Sequence, residues 1–159
     1  MNYTKILVAI FIILLIGAAF SEYANAQRVD PVDDGPRISL GHTAFNKYET
    51  HGEFGYEWNQ WEAAYSIQGS SGVSDTTNIA SLSRVVKPEW FVGHARNYYR
   101  IGVSHVDNSD LVGDFNFRLG VGLTYKVFAV EYFHYSSAGI NDTNSGIDGF
   151  MIRFNVPVY

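Results

Sequence analysis

Apolar and polar residues alternate over eleven positions in "FNFRLGVGLTY", Phe115 to Tyr125, and this feature constrains the fold most. Phe115, Phe117, Leu119, Val121, Leu123 and Tyr125 share one face; Asn116, Arg118, Gly120, Gly122 and Thr124 share the other. Successive side chains of a strand point to opposite sides, so a period of two is a strand signal. In "WEAAYSIQ", Trp61, Ala63, Tyr65 and Ile67 oppose Glu62, Ala64, Ser66 and Gln68. In "YYRIGVSHV", Tyr99, Ile101 and Val103 oppose Arg100, Gly102 and Ser104. Near the C-terminus Phe150, Ile152, Phe154, Val156 and Val158 oppose Arg153 and Asn155. No helical periodicity stands out, and after Gln27 no stretch is apolar for long enough to form a membrane helix.

Strands of this kind serve two architectures. A soluble sandwich buries its apolar faces between two sheets and could bind a ligand. A transmembrane barrel turns them to lipid around a polar interior. Several of these strands run to about ten residues, the length a tilted membrane strand needs. Their polar faces carry arginines, which suit a lumen. "DNSDLVG" and "AGINDTNSG" are long polar connections, while the link at Lys126 is almost nothing. Small outer-membrane barrels alternate long outer loops with tight periplasmic turns in this way. The expected fold is therefore all-β, an antiparallel transmembrane barrel. Seven strand candidates are visible, at 37–46, 55–68, 76–87, 91–106, 113–125, 127–136 and 146–158, and 76–87 alternates poorly. Bacterial single-chain barrels have even strand numbers, so eight are expected, with one concealed between 37 and 68 in "YETHGEFGYEWNQW". Tyr159 is out of phase with Phe150 through Val158, and a bulge near Pro157 would repair the phase.

The chain divides into an export signal, 1–26, and a barrel domain, 27–159. Lys5 precedes the apolar run "ILVAIFIILLIGAAF", and Ala24-Asn25-Ala26 offers a small-residue cleavage site before Gln27. There is no cysteine, which excludes a lipoprotein anchor, disulfides and a thiolate zinc site. A net charge of -5 argues against nucleic acid as a partner. The expected location is a bacterial-type outer membrane, with Trp58, Trp61 and Trp90 in its aromatic girdles.

The candidate chemistry lies in "HYSSAGINDTNSGID", His134 to Asp148. His134 and Ser136 share a face with Phe128, Val130 and Tyr132. Asp148 shares phase with Phe150, Ile152 and Phe154. All three polar residues thus fall on the outward face at the loop end of a hairpin. A histidine and a carboxylate beside lipid are costly unless paired or near the interface. A serine needs an adjacent base to act as a nucleophile, and the base needs an orienting acid. The competing readings are a polar hairpin tip or a calcium loop. "DTNSGID" places Asp142, Asn144 and Asp148 like a fragment of the latter, without the full pattern or its terminal glutamate. His42, His51, His94 and His105 have no metal-ligand spacing, and no metal or cofactor is expected. Arg100, Arg118, Glu131 and Arg153 read as charges pairing inside the lumen.

"RLGVGL", then "HYSSAGI" and "NSGID", resemble the PagL-type lipid A 3-O-deacylases of the bacterial outer membrane. The likeness covers about residues 114–159, with a weaker likeness of strand pattern before it. The family motif has a histidine, a serine two residues on and an acid fourteen residues after the histidine; His134, Ser136 and Asp148 stand at those spacings. The resemblance implies an eight-stranded barrel and an outer-membrane serine esterase that hydrolyses the ester-linked acyl chain at the 3-position of lipid A. Lipid A, as lipopolysaccharide, would be the substrate and the outer-leaflet lipid the surroundings. For the oxyanion it implies the Gly139 N–H and Asn144, with Ser137 standing where the family usually carries asparagine. Asp148 stands where the family usually carries glutamate. Those two departures keep open the alternative of a catalytically inactive barrel, acting as an adhesin or structural protein.

Overall fold

A computed structural model of the chain describes residues 35–46, 50–69, 76–107, 112–137 and 146–158. Its elements are β1 (Arg37–Asn46), β2 (His51–Trp58), β3 (Trp61–Gln68), β4 (Thr77–Val86), β5 (Phe91–Val92), β6 (Ala95–Asp107), β7 (Phe115–Tyr125), β8 (Phe128–Ser136) and β9 (Ile147–Pro157). Among the described residues there is no helix. The sheet order is β4-β3-β2-β1-β9-β8-β7-β6-β5, and β4 also pairs with β6. That pairing closes the sheet into an antiparallel barrel of eight long strands, with β5 a two-residue flap on β6. Closure leaves no long free edge, so the backbone hydrogen bonds are satisfied strand to strand, as a lipid surround demands.

The concealed strand lies where it was expected, between 37 and 68. The candidate 55–68 is two strands, β2 and β3, joined at Asn59 and Gln60. Both residues have left-handed φ, 50° and 65°. Two such residues make the tight hairpin turn whose twist matches its strands. The usual signal for it is Asn-Gly; glutamine in the second position hides it. Gln60 is held by an Arg84 guanidinium that donates to its Oε1 at 2.8 Å, and its carbonyl accepts from Val85 N–H at 2.7 Å. The candidate 91–106 also divides, because Gly93, with φ 61°, turns β5 back onto β6. Residues 77–86 alternate cleanly in burial. Their hydropathy does not, because the inward side mixes Ile79 and Val85 with Ser81 and Ser83. The expected bulge near Pro157 is not there: β1 and β9 stay in register from Arg37 opposite Pro157 to Thr43 opposite Met151, and slip only between Thr43 and Phe45. Tyr159 lies outside the described residues.

The outer wall is apolar. Leu40, Phe54, Ile67, Leu82, Ile101, Leu119, Val130, Ile152 and Phe154 are all exposed. Trp58 and Trp61 face each other beside the β2–β3 turn, and Trp90 meets Tyr99 edge-on at 6.5 Å near the β4–β6 connection. All three tryptophans therefore gather at the short-turn end.

The lumen is filled. Arg100, Arg118 and Arg153 interlock with Glu53, Glu62 and Glu131, and none of the six is more than 5% exposed. Arg153 donates to Ser39 Oγ at 2.9 Å and Glu62 Oε1 at 2.8 Å, and pairs with Glu53. Arg118 donates to Ser81 Oγ at 2.7 Å and pairs with Glu53 Oε2 at 2.8 Å. Arg100 donates to Glu62 Oε2 at 2.8 Å and pairs with Glu131, which also accepts from the Tyr98 hydroxyl at 2.7 Å. All eight long strands supply a member of this network, so it ties the barrel across its interior. Three guanidinium charges meet three carboxylates, the condition under which buried charge is tolerated. The glycines of "RLGVGL" make room for it: a Cβ on Gly120 would come 2.7 Å from Glu131 Oε1, and one on Gly122 2.6 Å from the Tyr98 ring. Toward the loop end, Ile79, Val106, Val112, Phe133, Tyr135, Ile147 and Met151 form an apolar plug.

Candidate active site

Three neighbouring strands carry the site. In the register, Leu119 of β7 lies opposite His134 of β8, and His134 lies opposite Asp148 of β9. The odd-even phase of each strand turns this row to the outside, near the loop end. His134 Nδ1 is 2.7 Å from Asp148 Oδ1. The same oxygen accepts from the Tyr132 hydroxyl at 2.7 Å. The two side chains are 34% and 32% exposed, so the pair is partly screened yet reachable.

The register explains how the shorter acid reaches the histidine. Side chains directly opposite on antiparallel strands have Cβ atoms about 4.5–5.5 Å apart. An aspartate bridges that gap to a histidine Nδ1. An ionised carboxylate only accepts, so Nδ1 carries a proton toward Asp148, and in the neutral ring Nε2 is the nitrogen with the lone pair. The result is a histidine oriented by an acid on the outer wall. Ser136 lies two residues further along β8, on the same face and half-buried, opposite Phe117. Residues so spaced on a strand are about 7 Å apart along it.

The remaining expected site residues divide. Ser137 is fully buried and lies one residue past the end of β8. Gly139 and Asn144 lie outside the described residues, as does Asp142 of the calcium-loop reading. Residues 1–34, with the expected cleavage point after Ala26, lie outside them too.

Two contributors escaped the sequence reading. Tyr132 was placed on the right face but only as part of its apolar stripe. Its position two residues before His134 was the available signal. Gly146 is the other. It has φ +72°, and a Cβ there would stand 3.2 Å from His134 Cε1 and 3.7 Å from Asp148 Oδ2. Its place just before a strand, two residues from the acid, was the signal.

The pair opens onto a shallow depression of about 520 Å³, lined by Leu119, Gly120, Val121, Tyr132, His134 and Asp148. Apolar chain lies on one side of it and an oriented imidazole on the other. A second cavity, about 440 Å³, opens at the opposite, short-turn mouth among Arg37, Lys87, Arg96 and Arg100. His134 and Asp148 line only the first.

A barrel with a filled lumen, an apolar outer wall and an acid-oriented histidine on that wall is built as a membrane-embedded enzyme rather than as a pore. A sequence model of the lipid A 3-O-deacylase (PagL) family matches residues 37–157. The chain belongs to that family. Its fold is similar to the crystal structure of the outer membrane enzyme PagL, with a TM-score of 0.59 and 20% identity, over 77% of this chain and 99% of that one. A search of curated proteins gives no match.

Proposed function

We propose that this protein is an outer-membrane serine esterase that removes the 3-O-linked acyl chain from lipid A. The observation that carries the reading is the 2.7 Å contact between His134 Nδ1 and Asp148 Oδ1 on the outward face, beside Ser136. The signal segment 1–26 would direct export and be removed after Ala26, leaving the barrel with its loop end at the outer leaflet.

In this mechanism Ser136 Oγ attacks the ester carbonyl carbon while His134 Nε2 takes the hydroxyl proton. Asp148 holds the ring and stabilises the imidazolium. The tetrahedral oxyanion is held by the Gly139 N–H and the Asn144 side chain. Ser137, which follows the nucleophile directly and is buried, is the third residue assigned to this role. Collapse expels the 3-hydroxyl of lipid A, which takes the proton from His134, and leaves an acyl-serine. Water, deprotonated by His134, then releases the fatty acid and restores Ser136. The apolar side of the depression, Leu119 and Val121, supports an acyl chain in this position.

The test is release of ester-linked 3-hydroxy fatty acid from purified lipopolysaccharide. Ser136→Ala and His134→Ala should each lose nearly all turnover while remaining folded, since the members act as a unit. Full activity in Ser136→Ala overturns the mechanism. A folded but inactive unmodified protein overturns the assignment and leaves an adhesin or structural barrel. Intact mass of the membrane-bound protein tests the cleavage site; a retained N-terminus rejects it.

A further inference from the structure

We infer that Tyr132 is a positioning residue that locks the carboxylate of Asp148 for His134; this deepens the triad reading above and rests on it. Tyr132 Oη and His134 Nδ1 both approach the same oxygen, Asp148 Oδ1, at 2.7 Å. Asp148 faces His134 directly across the ladder, and Tyr132 is its diagonal neighbour, opposite Phe150. Diagonal neighbours lie within reach only of aromatic and other long side chains. The Tyr132 ring packs against Phe150 at 5.3 Å and 55°, which fixes the direction of its hydroxyl.

The location makes that hydroxyl more than an ordinary surface contact. β8 runs from the short-turn end toward the loops, so Tyr132 lies on the bilayer-centre side of Asp148. Water can donate to a triad acid in a soluble enzyme. Lipid cannot, and a carboxylate with too few donors beside apolar surface is poorly held. A second donor on Oδ1 fixes the rotation of the carboxylate about its own axis. It thereby fixes which oxygen meets the imidazole. Tyr132 also lines the depression, so its hydroxyl closes the membrane side of the acid.

The experiment uses the folded full chain in detergent micelles with lipopolysaccharide as substrate. Tyr132→Phe removes the hydroxyl and keeps the ring contact. It should lower kcat about 10- to 100-fold, the loss expected for one hydrogen bond to a charged acceptor, with KM within about twofold. In an Asp148→Asn background the same change should cost less than about threefold, because the orientation it serves is already gone. Equal losses in both backgrounds would mark a merely structural role and overturn the inference. A readout independent of turnover is the low-field ring-proton resonance of His134 in ¹⁵N-histidine-labelled protein, assigned by its absence in His134→Ala. It should broaden in Tyr132→Phe. If Ser136→Ala is inactive and Tyr132→Phe keeps its kcat, the positioning role fails and the triad stands. If Ser136→Ala stays active, the triad fails, and the resonance alone decides whether Tyr132 orders the pair: broadening supports it and an unchanged signal rejects it.

Discussion

The barrel holds carboxylates on both of its faces, and they behave oppositely. Inside, Glu53 is held by Arg118, Arg153 and Ser66, fully enclosed. Outside, Asp148 is met by His134 and Tyr132 at the rim of an open depression. The inner group is saturated by fixed cations and faces no space in which a substrate could sit. The outer one is paired with a histidine that is itself partly exposed. Identical chemistry becomes scaffold in one place and, in the proposed mechanism, a reactive pair in the other, according to which way the strand turns it. The contrast gives a rule for this molecule: inward charge should govern stability, and outward charge should govern turnover.

Asp148→Asn probes the outer side most strongly. The amide keeps the shape but cannot stabilise an imidazolium, so kcat should fall on the order of 10⁴-fold. Thermal unfolding in detergent should be unchanged, and a large fall in stability would break the rule. Glu53→Ala probes the inner side. It leaves Arg118 and Arg153 short of a buried counter-charge, at a cost of about 3–5 kcal/mol. Urea unfolding in lipid vesicles measures this, while kcat at a temperature where the variant stays folded should remain near normal. A Glu53→Ala protein with wild-type stability would mean that the lumen network does not hold the barrel together.

The faces were legible in the sequence because a strand has no freedom in phase: Arg118 between Phe117 and Leu119 can only point inward if its neighbours point to lipid. The same rule placed His134, Ser136 and Asp148 together on the outside. Phase does not reveal a left-handed turn at a non-glycine pair, so Asn59 and Gln60 concealed the division between β2 and β3. Nor does it reveal register. That His134 faces Asp148 directly, rather than one step along, depends on strand pairing, and so does the reach of a short aspartate. Ser137 adjoins Ser136 in the chain, yet it is buried where Ser136 is half-buried, a difference that spacing does not reveal.

A smaller effect tests the wall between the two regions. Arg100 and Ile101 are adjacent on β6, the first 2% and the second 60% exposed. The chain tolerates a guanidinium at one position and should reject it at the next. Ile101→Arg should cost about 2–4 kcal/mol if the residue sits at the bilayer midplane, as the middle of a thirteen-residue strand would. Vesicle refolding with a urea titration gives the value, and a cost near zero would move Ile101 to the interface.

The smallest expected effect separates scaffold from site within a single hairpin. Gly146 takes φ +72°, and an added Cβ would press on His134 Cε1 at 3.2 Å. Gly146→Ala therefore meets two penalties: a left-handed backbone costing about 1–2 kcal/mol for a residue with a side chain, and a ring displaced by a few tenths of an ångström. The backbone cost falls at the edge of β9 and should lower the unfolding temperature by a few degrees. The ring displacement falls on the base, where small misplacement is expensive, so kcat should drop about 3- to 10-fold. Gly52→Ala is the matched control, because a Cβ there meets nothing within 4 Å. It should leave both unfolding and kcat unchanged. If kcat is as normal in Gly146→Ala as in Gly52→Ala, the glycine before Asp148 serves only the turn, and the ring of His134 does not depend on it.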